Sequence, residues 1–194
     1  MPFGSGNPKI LDKMVLSFLQ TERLFLRSWI PEDIHALPPL ANNPKIWRNV
    51  RDLFPYPYTL QDAQRWVSHF ADNPSHHNFA ITRLGVTQEG ELLGGIGLHQ
   101  LSDVYRRVAE IGYWLAEPFW GQGYATEAVK KLTDWGFAKL DIVRIQAGVF
   151  EGNQASMRVL EKCGYQQEAR LKKVLTKDGK TFDEFLYAAF RSPI

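Results

Sequence analysis

The chain has 194 residues, with 23 Lys and Arg against 21 Asp and Glu, for a formal net charge of +2. That length suits one domain with its own buried core, and the balanced charge excludes a nucleic-acid binder that works by blanket phosphate neutralisation. Hydrophobic residues at 44% exclude wholesale disorder, and aromatics at 13%, including six Trp, point to a large core with an aromatic-lined cleft beside it. The single cysteine, Cys163, leaves no intramolecular disulfide and no thiolate zinc site. No apolar run is long enough for a membrane span, and the first residues lack the apolar stretch of a signal peptide, so a cytoplasmic protein is expected. Residues 1–14 read as a flexible arm and residues 15–194 as a single domain.

In chain order, Arg23 to Arg27 alternates weakly and reads as a first strand. Pro31-Glu32-Asp33 resembles a helix start, and Pro38-Pro39 predicts that this helix breaks into two short pieces. Residues 47–58, rich in aromatics and proline, read as an irregular, semi-rigid loop. Thr59 with Asp62 is a capping-box signal, and Ala63, Trp66, Val67 and Phe70 at helical spacing predict a helix over about 60–72. His77–Leu84, Leu92–Leu101 and Ala109–Leu115 read as strands of an antiparallel meander. His76 and His77, adjacent on a strand, point to opposite faces, so no metal site is expected.

From residue 116 the grammar changes to α/β: a glycine-rich turn, a helix over about 122–139, a strand over 142–150 and a helix over about 154–163. The last helix has Asn153 as N-cap and Gly164 as C-cap. Strands over about 166–176 and 181–190, turned at Lys177-Asp178-Gly179-Lys180, form a closing hairpin. The expected architecture is a mixed sheet with helices on both faces.

The turn Trp120-Gly121-Gln122-Gly123-Tyr124-Ala125-Thr126 follows a strand and opens a helix. Glycines there let the backbone approach a ligand, and free N–H groups at a helix N-terminus suit a phosphate or pyrophosphate. A plain tight turn is the alternative. The third glycine of a dinucleotide-binding fingerprint and the Gly-Lys-Ser/Thr of a Walker A loop are both missing.

Three stretches carry a resemblance: Glu110-Ile-Gly-Tyr-Trp-Leu, then Trp120 to Ala128, then Asn153-x-Ala-Ser156 through Gly164-Tyr165. Together they are similar to the GNAT acetyltransferases, closest to the RimJ/RimL-like branch, which Thr21-Glu22-Arg23-Leu-x-Leu-Arg27 also matches. The resemblance covers about 20–190. It implies an α/β GNAT-like acyl-CoA N-acyltransferase fold with a mostly antiparallel mixed sheet. It also implies an acetyl-CoA-dependent N-acetyltransferase acting on a protein N-terminus or a small primary amine. Backbone groups of Tyr113, Trp114 and Leu115 would pair with pantetheine as an added strand does, Gly121, Gln122, Gly123, Tyr124, Ala125 and Thr126 would hold the pyrophosphate, and Asn153 would reach the pantetheine arm. Trp120 replaces the Gln or Arg that opens the phosphate motif elsewhere in the family, and Leu160 replaces the tyrosine that many members use as general acid.

An amine attacks a thioester only when uncharged, which calls for a base. Glu110 is the first candidate: a glutamate on that strand serves as base in the histone-acetylating members, and burial would raise its pKa. The alternative is a strand-end glutamate paired with Arg106 or Arg107. His99, on the preceding strand, falls near Ala109 and Glu110 if the hairpin closes around Asp103-Val104-Tyr105, where it could relay a proton or orient Glu110, or simply be a sheet histidine. Ser156, one turn after Asn153, is the candidate acid for the leaving thiolate, or else a helix-surface hydroxyl. The acetyl carbonyl would need a backbone N–H from Tyr113 or Trp114. Cys163, at a helix end without a flanking His, reads as a small buried hydrophobe. Trp47, Arg51, Phe54, Tyr56 and Tyr58 form the expected acceptor wall, with a hydrophobic cap over the core as the alternative. A catalytically silent acyl-CoA-binding module on the same fold, or a nucleotide-binding protein using the same turn, are the competing readings. No nucleic-acid or membrane partner is expected, and monomer and homodimer both remain open.

Overall fold

A computed structural model describes residues 18–71, 77–84 and 90–191. The predicted arm over residues 1–14 and His76 lie outside the described residues. Eight strands form one sheet in the order β1-β2-β3-β4-β5-β6-β8-β7, with β1 over Leu19–Gln20, β2 over Leu24–Arg27, β3 over Asn78–Arg83, β4 over Glu91–Gln100, β5 over Val108–Leu115, β6 over Arg144–Phe150, β7 over Gln166–Lys177 and β8 over Lys180–Phe190. Every neighbouring pair is antiparallel except β5 and β6, which run parallel. The expected α/β architecture is therefore the observed one.

Helices cover both faces. On one, α4 (Tyr124–Lys139) lays Ala128, Val129 and Leu132 on Leu26, Ile81, Leu98 and Ile145, and α5 (Gln154–Lys162) adds Leu160. On the other, α1 (Asp33–Ala41) and α3 (Leu60–Ala71) enclose a smaller core of Trp29, Leu37, Ala41, Tyr58, Ala63, Val67, Ala80 and Leu92. Short α2 (Pro44–Trp47) stands between α1 and the irregular loop.

Pro38 and Pro39 do not split α1 as the sequence predicts; both lie inside one nine-residue helix. The two missing N–H donors are outweighed by burial of Leu37 and Ala41 on the same face, and the chain breaks instead at Asn42 and Asn43. The capping box is present: the Thr59 N–H donates to Asp62 Oδ2 at 2.8 Å and the Asp62 N–H donates to Thr59 Oγ1 at 3.3 Å. Asp178 and Gly179, at φ +51° and +69°, make the two-residue turn that suits the twist of β7 and β8.

Leu132 is fully buried at the centre of the larger core. Leu132→Ala is expected to cost about 2–5 kcal/mol, seen as a lower urea midpoint with an unchanged m-value.

Candidate active site

Strands β5 and β6 pair at only three positions: Val108 with Arg144, Ala109 with Ile145, and Glu110 with Gln146. Beyond Glu110, β5 stays with β4 as far as Leu115, while β6 stays with β8 as far as Phe150. Each strand is thus held on its outer side and loses its partner on the inner side. The facing edges over 111–115 and 147–150 form a wedge-shaped gap whose backbone groups an extended ligand can pair with. A cavity of about 1090 Å³ runs through this gap, from the glycine turn at one end to Glu110 and Glu184 at the other.

At the first end, the Trp120 indole N–H donates to the Leu115 carbonyl at 2.8 Å, tying the glycine turn to the end of β5. This side chain therefore has a structural use that its departure from the family pattern did not suggest. Gly121 and Gly123 have φ of +74° and +83°, and Gly123 sits at the N-cap of α4 with no side chain to cap it. The first-turn N–H groups of α4 are left for a ligand or water, next to the positive end of the helix dipole. Gly121, Gly123, Tyr124, Ala125 and Thr126 line the cavity; Gln122 turns away and donates to the Pro118 carbonyl at 2.9 Å.

Glu127, in the first turn of α4, fixes this turn to the chain before β2. It accepts from the Thr21 hydroxyl, from the Arg23 N–H at 2.8 Å and from the Arg23 guanidinium at 2.7 Å. The same guanidinium donates to the Gln122 carbonyl at 3.0 Å and lies 4.6 Å from the Tyr124 ring centre. Burial opposes the charge on Glu127, but these hydrogen bonds outweigh it and hold the carboxyl below its usual range.

In the middle of the gap, Asn153 caps α5 by accepting from the Ser156 N–H at 3.2 Å. Tyr113 reaches across from β5, its hydroxyl 2.8 Å from Ser156 Oγ. Burial pushes the Tyr113 phenol well above its ordinary value, so it stays neutral and able to donate. Sequence reasoning used only the backbone of Tyr113 and missed this hydroxyl pair. Leu160 is fully buried in the larger core and offers no proton to the gap.

At the other end, His99 stands directly opposite Glu110, within the neighbourhood that the hairpin predicts. The expected partners of Glu110, Arg106 and Arg107, are not found beside it: Arg107 pairs with Asp141, and Arg106 bonds the Asp103 carbonyl. Glu110 Oε2 instead lies 3.0 Å from Arg51 Nη2, and Oε1 accepts from Gln146 at 3.4 Å. Arg51 belongs to the predicted acceptor loop and is largely exposed.

That loop faces the cavity only in part. Arg51 and Phe54 line the cavity. Tyr58 is instead 6% exposed within the smaller core, where burial pushes its phenol up to about 12. Trp47 turns to the β7–β8 hairpin, where Lys177 Nζ lies 4.4 Å from its ring centre, and Tyr56 stacks on Trp47. Lys177 also pairs with Asp52 at 2.7 Å, so these aromatics anchor the loop to the hairpin. Trp66 and Phe70, read from the sequence as a core stripe, join Phe54 and Trp114 along the cleft.

Sequence reasoning also missed Glu184. It comes from β8, and its carboxylate lies over Gly148, where a Cβ would meet Glu184 Oε1 at 2.1 Å. Burial pushes its carboxyl above the ordinary range; Arg51 pulls it down and the neighbouring Glu110 pushes it up. No pattern in β8 marks this residue, because its place depends on the register with Gly148 across the sheet. Cys163 donates to the Thr126 carbonyl at 3.3 Å, and burial pushes its thiol up to about 11, which suits a packing residue better than a nucleophile. Among the described residues no cluster of three His, Cys, Asp or Glu could hold a metal, and no helix is long and apolar enough to cross a membrane.

Residues 23–166 match the family model of the acetyltransferase (GNAT) domain. The uncharacterized N-acetyltransferase YoaA of Bacillus subtilis is 30% identical over 88% of this chain and 94% of its own length. A GNAT-family acetyltransferase from Bacillus anthracis superposes with a TM-score of 0.78 at 26% identity, over 90% of this chain and 98% of that one. RimL, a ribosomal-protein alpha-N-acetyltransferase solved with coenzyme A, has the same fold at a TM-score of 0.76 and 22% identity, over 90% and 98% of the two chains.

Because the Glu127 carboxyl is held below its unfolded value near 4.5, the stability it adds is present above that pH and is lost as pH falls through the folded value. Glu127→Gln is expected to cost about 2 kcal/mol at pH 7. It should also show a smaller loss of stability below about pH 4.5 than the parent, in urea titrations across pH.

Proposed function

We propose that this chain, which belongs to the GNAT acetyltransferase family and is an N-acetyltransferase, moves the acetyl group of acetyl-CoA directly to a primary amine, on a protein N-terminus or a small molecule. The observation that carries this reading is the gap between β5 and β6, with an amide-lined anion site at one end and a carboxylate at the other. The residues present suit the cosubstrate. The first-turn amides of α4 with Gly121 and Gly123 suit the pyrophosphate, and the free edge at Tyr113, Trp114 and Leu115 suits the amide-bearing pantetheine arm. Asn153, already committed to its cap, has its N–H₂ group left to meet that arm.

Chemistry follows from the order of groups along the gap. The amine nitrogen attacks the thioester carbonyl carbon while the oxygen is held by a backbone N–H of Tyr113 or Trp114. The proton leaving nitrogen goes to Glu110, directly or through one water, with His99 placed opposite to relay it. As the C–S bond breaks, the linked Ser156 and Tyr113 hydroxyls donate toward the sulfur in a concerted relay, the proton given up being replaced from solvent, so that the thiol leaves neutral and neither hydroxyl is left ionised. No acetyl-cysteine intermediate is needed.

A thiol-release assay with acetyl-CoA across peptides, polyamines, amino acids and aminoglycosides tests the reading; saturable binding with no turnover on any acceptor would establish a silent module instead. Saturating acetyl-CoA should raise the parent's melting temperature by roughly 5–10 °C. Gly123→Val, forced into a left-handed backbone conformation where the pyrophosphate is expected, should abolish that shift. Glu110→Gln should lower kcat by about a hundredfold or more with unchanged acetyl-CoA affinity, and an unaltered pH–rate profile would count against its role.

A further inference from the structure

The acceptor face of the gap has an uneven floor. Along β5, Glu110, Gly112 and Trp114 share one face, spaced by about 7 Å. A Cβ built at Gly112 would meet nothing within 4 Å, so this stretch of floor is bare. One end of the bare stretch is closed by Trp114, whose ring lies 5.4 Å from Phe54. The other end is closed by Glu110, and Glu184, over Gly148, stands across the gap two residues beyond the Glu110–Gln146 pair. The slot is therefore about 13 Å long, apolar at the Trp114 end, with Glu110 at the other end and Glu184 facing it from across the gap.

The two carboxylates are not equivalent. Glu110 already has Arg51 and Gln146 as partners. The Glu184 carboxylate is half-buried, faces the same cavity, feels Arg51 and Glu110 only through space, and accepts no side-chain hydrogen bond from another described residue. A carboxylate withdrawn from water without donors is costly, and a ligand that brings N–H donors relieves the cost.

We infer, on the reading given under Proposed function, that the acceptor is a primary amine on an aromatic or compact apolar body, and that Glu184 is the residue that seats its ammonium group. The body lies over Gly112 against Trp114 and Phe54, while the ammonium bridges to Glu184 beside Glu110. Glu184 thereby sets which amines enter, and Glu110 takes the proton once the amine is in place.

The test uses 2-phenylethylamine as probe acceptor, with butylamine and a short Ser-initiated peptide as comparators, in the thiol-release assay on the full chain. 2-Phenylethylamine should be turned over with a kcat/KM at least tenfold above both comparators. Glu184→Gln should raise its KM roughly tenfold to a hundredfold, the loss of one charge-assisted hydrogen bond, while kcat and acetyl-CoA binding stay within about twofold. Gly112→Val, which the open space above the residue accommodates, should fold with a parent-like melting temperature, keep the acetyl-CoA thermal shift and lose turnover of 2-phenylethylamine. Turnover of the peptide in preference to 2-phenylethylamine overturns the inference and leaves the acetyltransferase reading standing. A Glu184→Gln variant with lowered kcat and unchanged KM overturns the seating role. Failure of acetyl-CoA to bind or react with any amine defeats the underlying reading itself.

Discussion

Three residue pairs of parallel β-ladder decide what this molecule can hold. Strands β5 and β6 meet only at Val108–Arg144, Ala109–Ile145 and Glu110–Gln146. The gap beyond exists because each strand is better satisfied on its outer side. β4 follows β5 through seven consecutive register positions, and β8 follows β6 through seven. A continuous ladder would bury every backbone group and leave no site. The divergence instead exposes two strand edges inside the molecule, where they invite pairing by an extended ligand and are shielded from pairing with another sheet.

The two helical layers divide the work around this opening. The larger core places α4 and α5 on the face that carries the glycine turn, Asn153 and the Tyr113–Ser156 pair, and the Arg23–Glu127 clamp fixes the α4 N-terminus against β2. The smaller core, under α1 and α3, supports the opposite face of the gap, with Trp66, Phe70 and Phe54 at its margin. The Asp52–Lys177 pair and the Lys177–Trp47 contact tie the loop between these helices to the closing hairpin. Both ends of the gap are therefore braced by residues remote in sequence, which keeps reacting groups in fixed relation.

Local signals were legible in the sequence wherever the physics is local. The Thr59–Asp62 cap, the Asn153 cap, the Asp178-Gly179 turn and the glycine turn after Trp120 each depend on neighbours within a few residues, and each is observed. The nearness of His99 to Glu110 was also legible, because a short hairpin limits its own register, and the structure pairs the two directly. What could not be read depends on pairings across the sheet. Arg51 reaches Glu110 over 59 positions, Tyr113 reaches Ser156 over 43, and Glu184 covers Gly148 because β8 pairs with β6. Trp66 and Phe70 carry the same helical spacing whether they face a core or a cleft, so periodicity alone could not separate the two. The prolines of α1 failed as a break signal for a related reason: tertiary burial of Leu37 and Ala41 overrode a local preference.

The near-zero net charge is compatible with how the gap is built. On the proposed reading, its anion-binding end would use backbone amides and a helix dipole, which carry no formal charge, and its acceptor end would use carboxylates partly balanced by Arg51. The five residue steps along β5 from Glu110 to Leu115 span roughly 17 Å, a separation over which Coulomb interactions fall off. The negative end therefore does little to repel the phosphates, and the amide cradle does little to repel an ammonium. Opposite ligands can then be drawn to opposite ends of one cavity without a surface field of either sign. That arrangement is compatible with +2 over 194 residues, whereas a basic surface recruited to bind phosphate would work against the cationic acceptor at the other end.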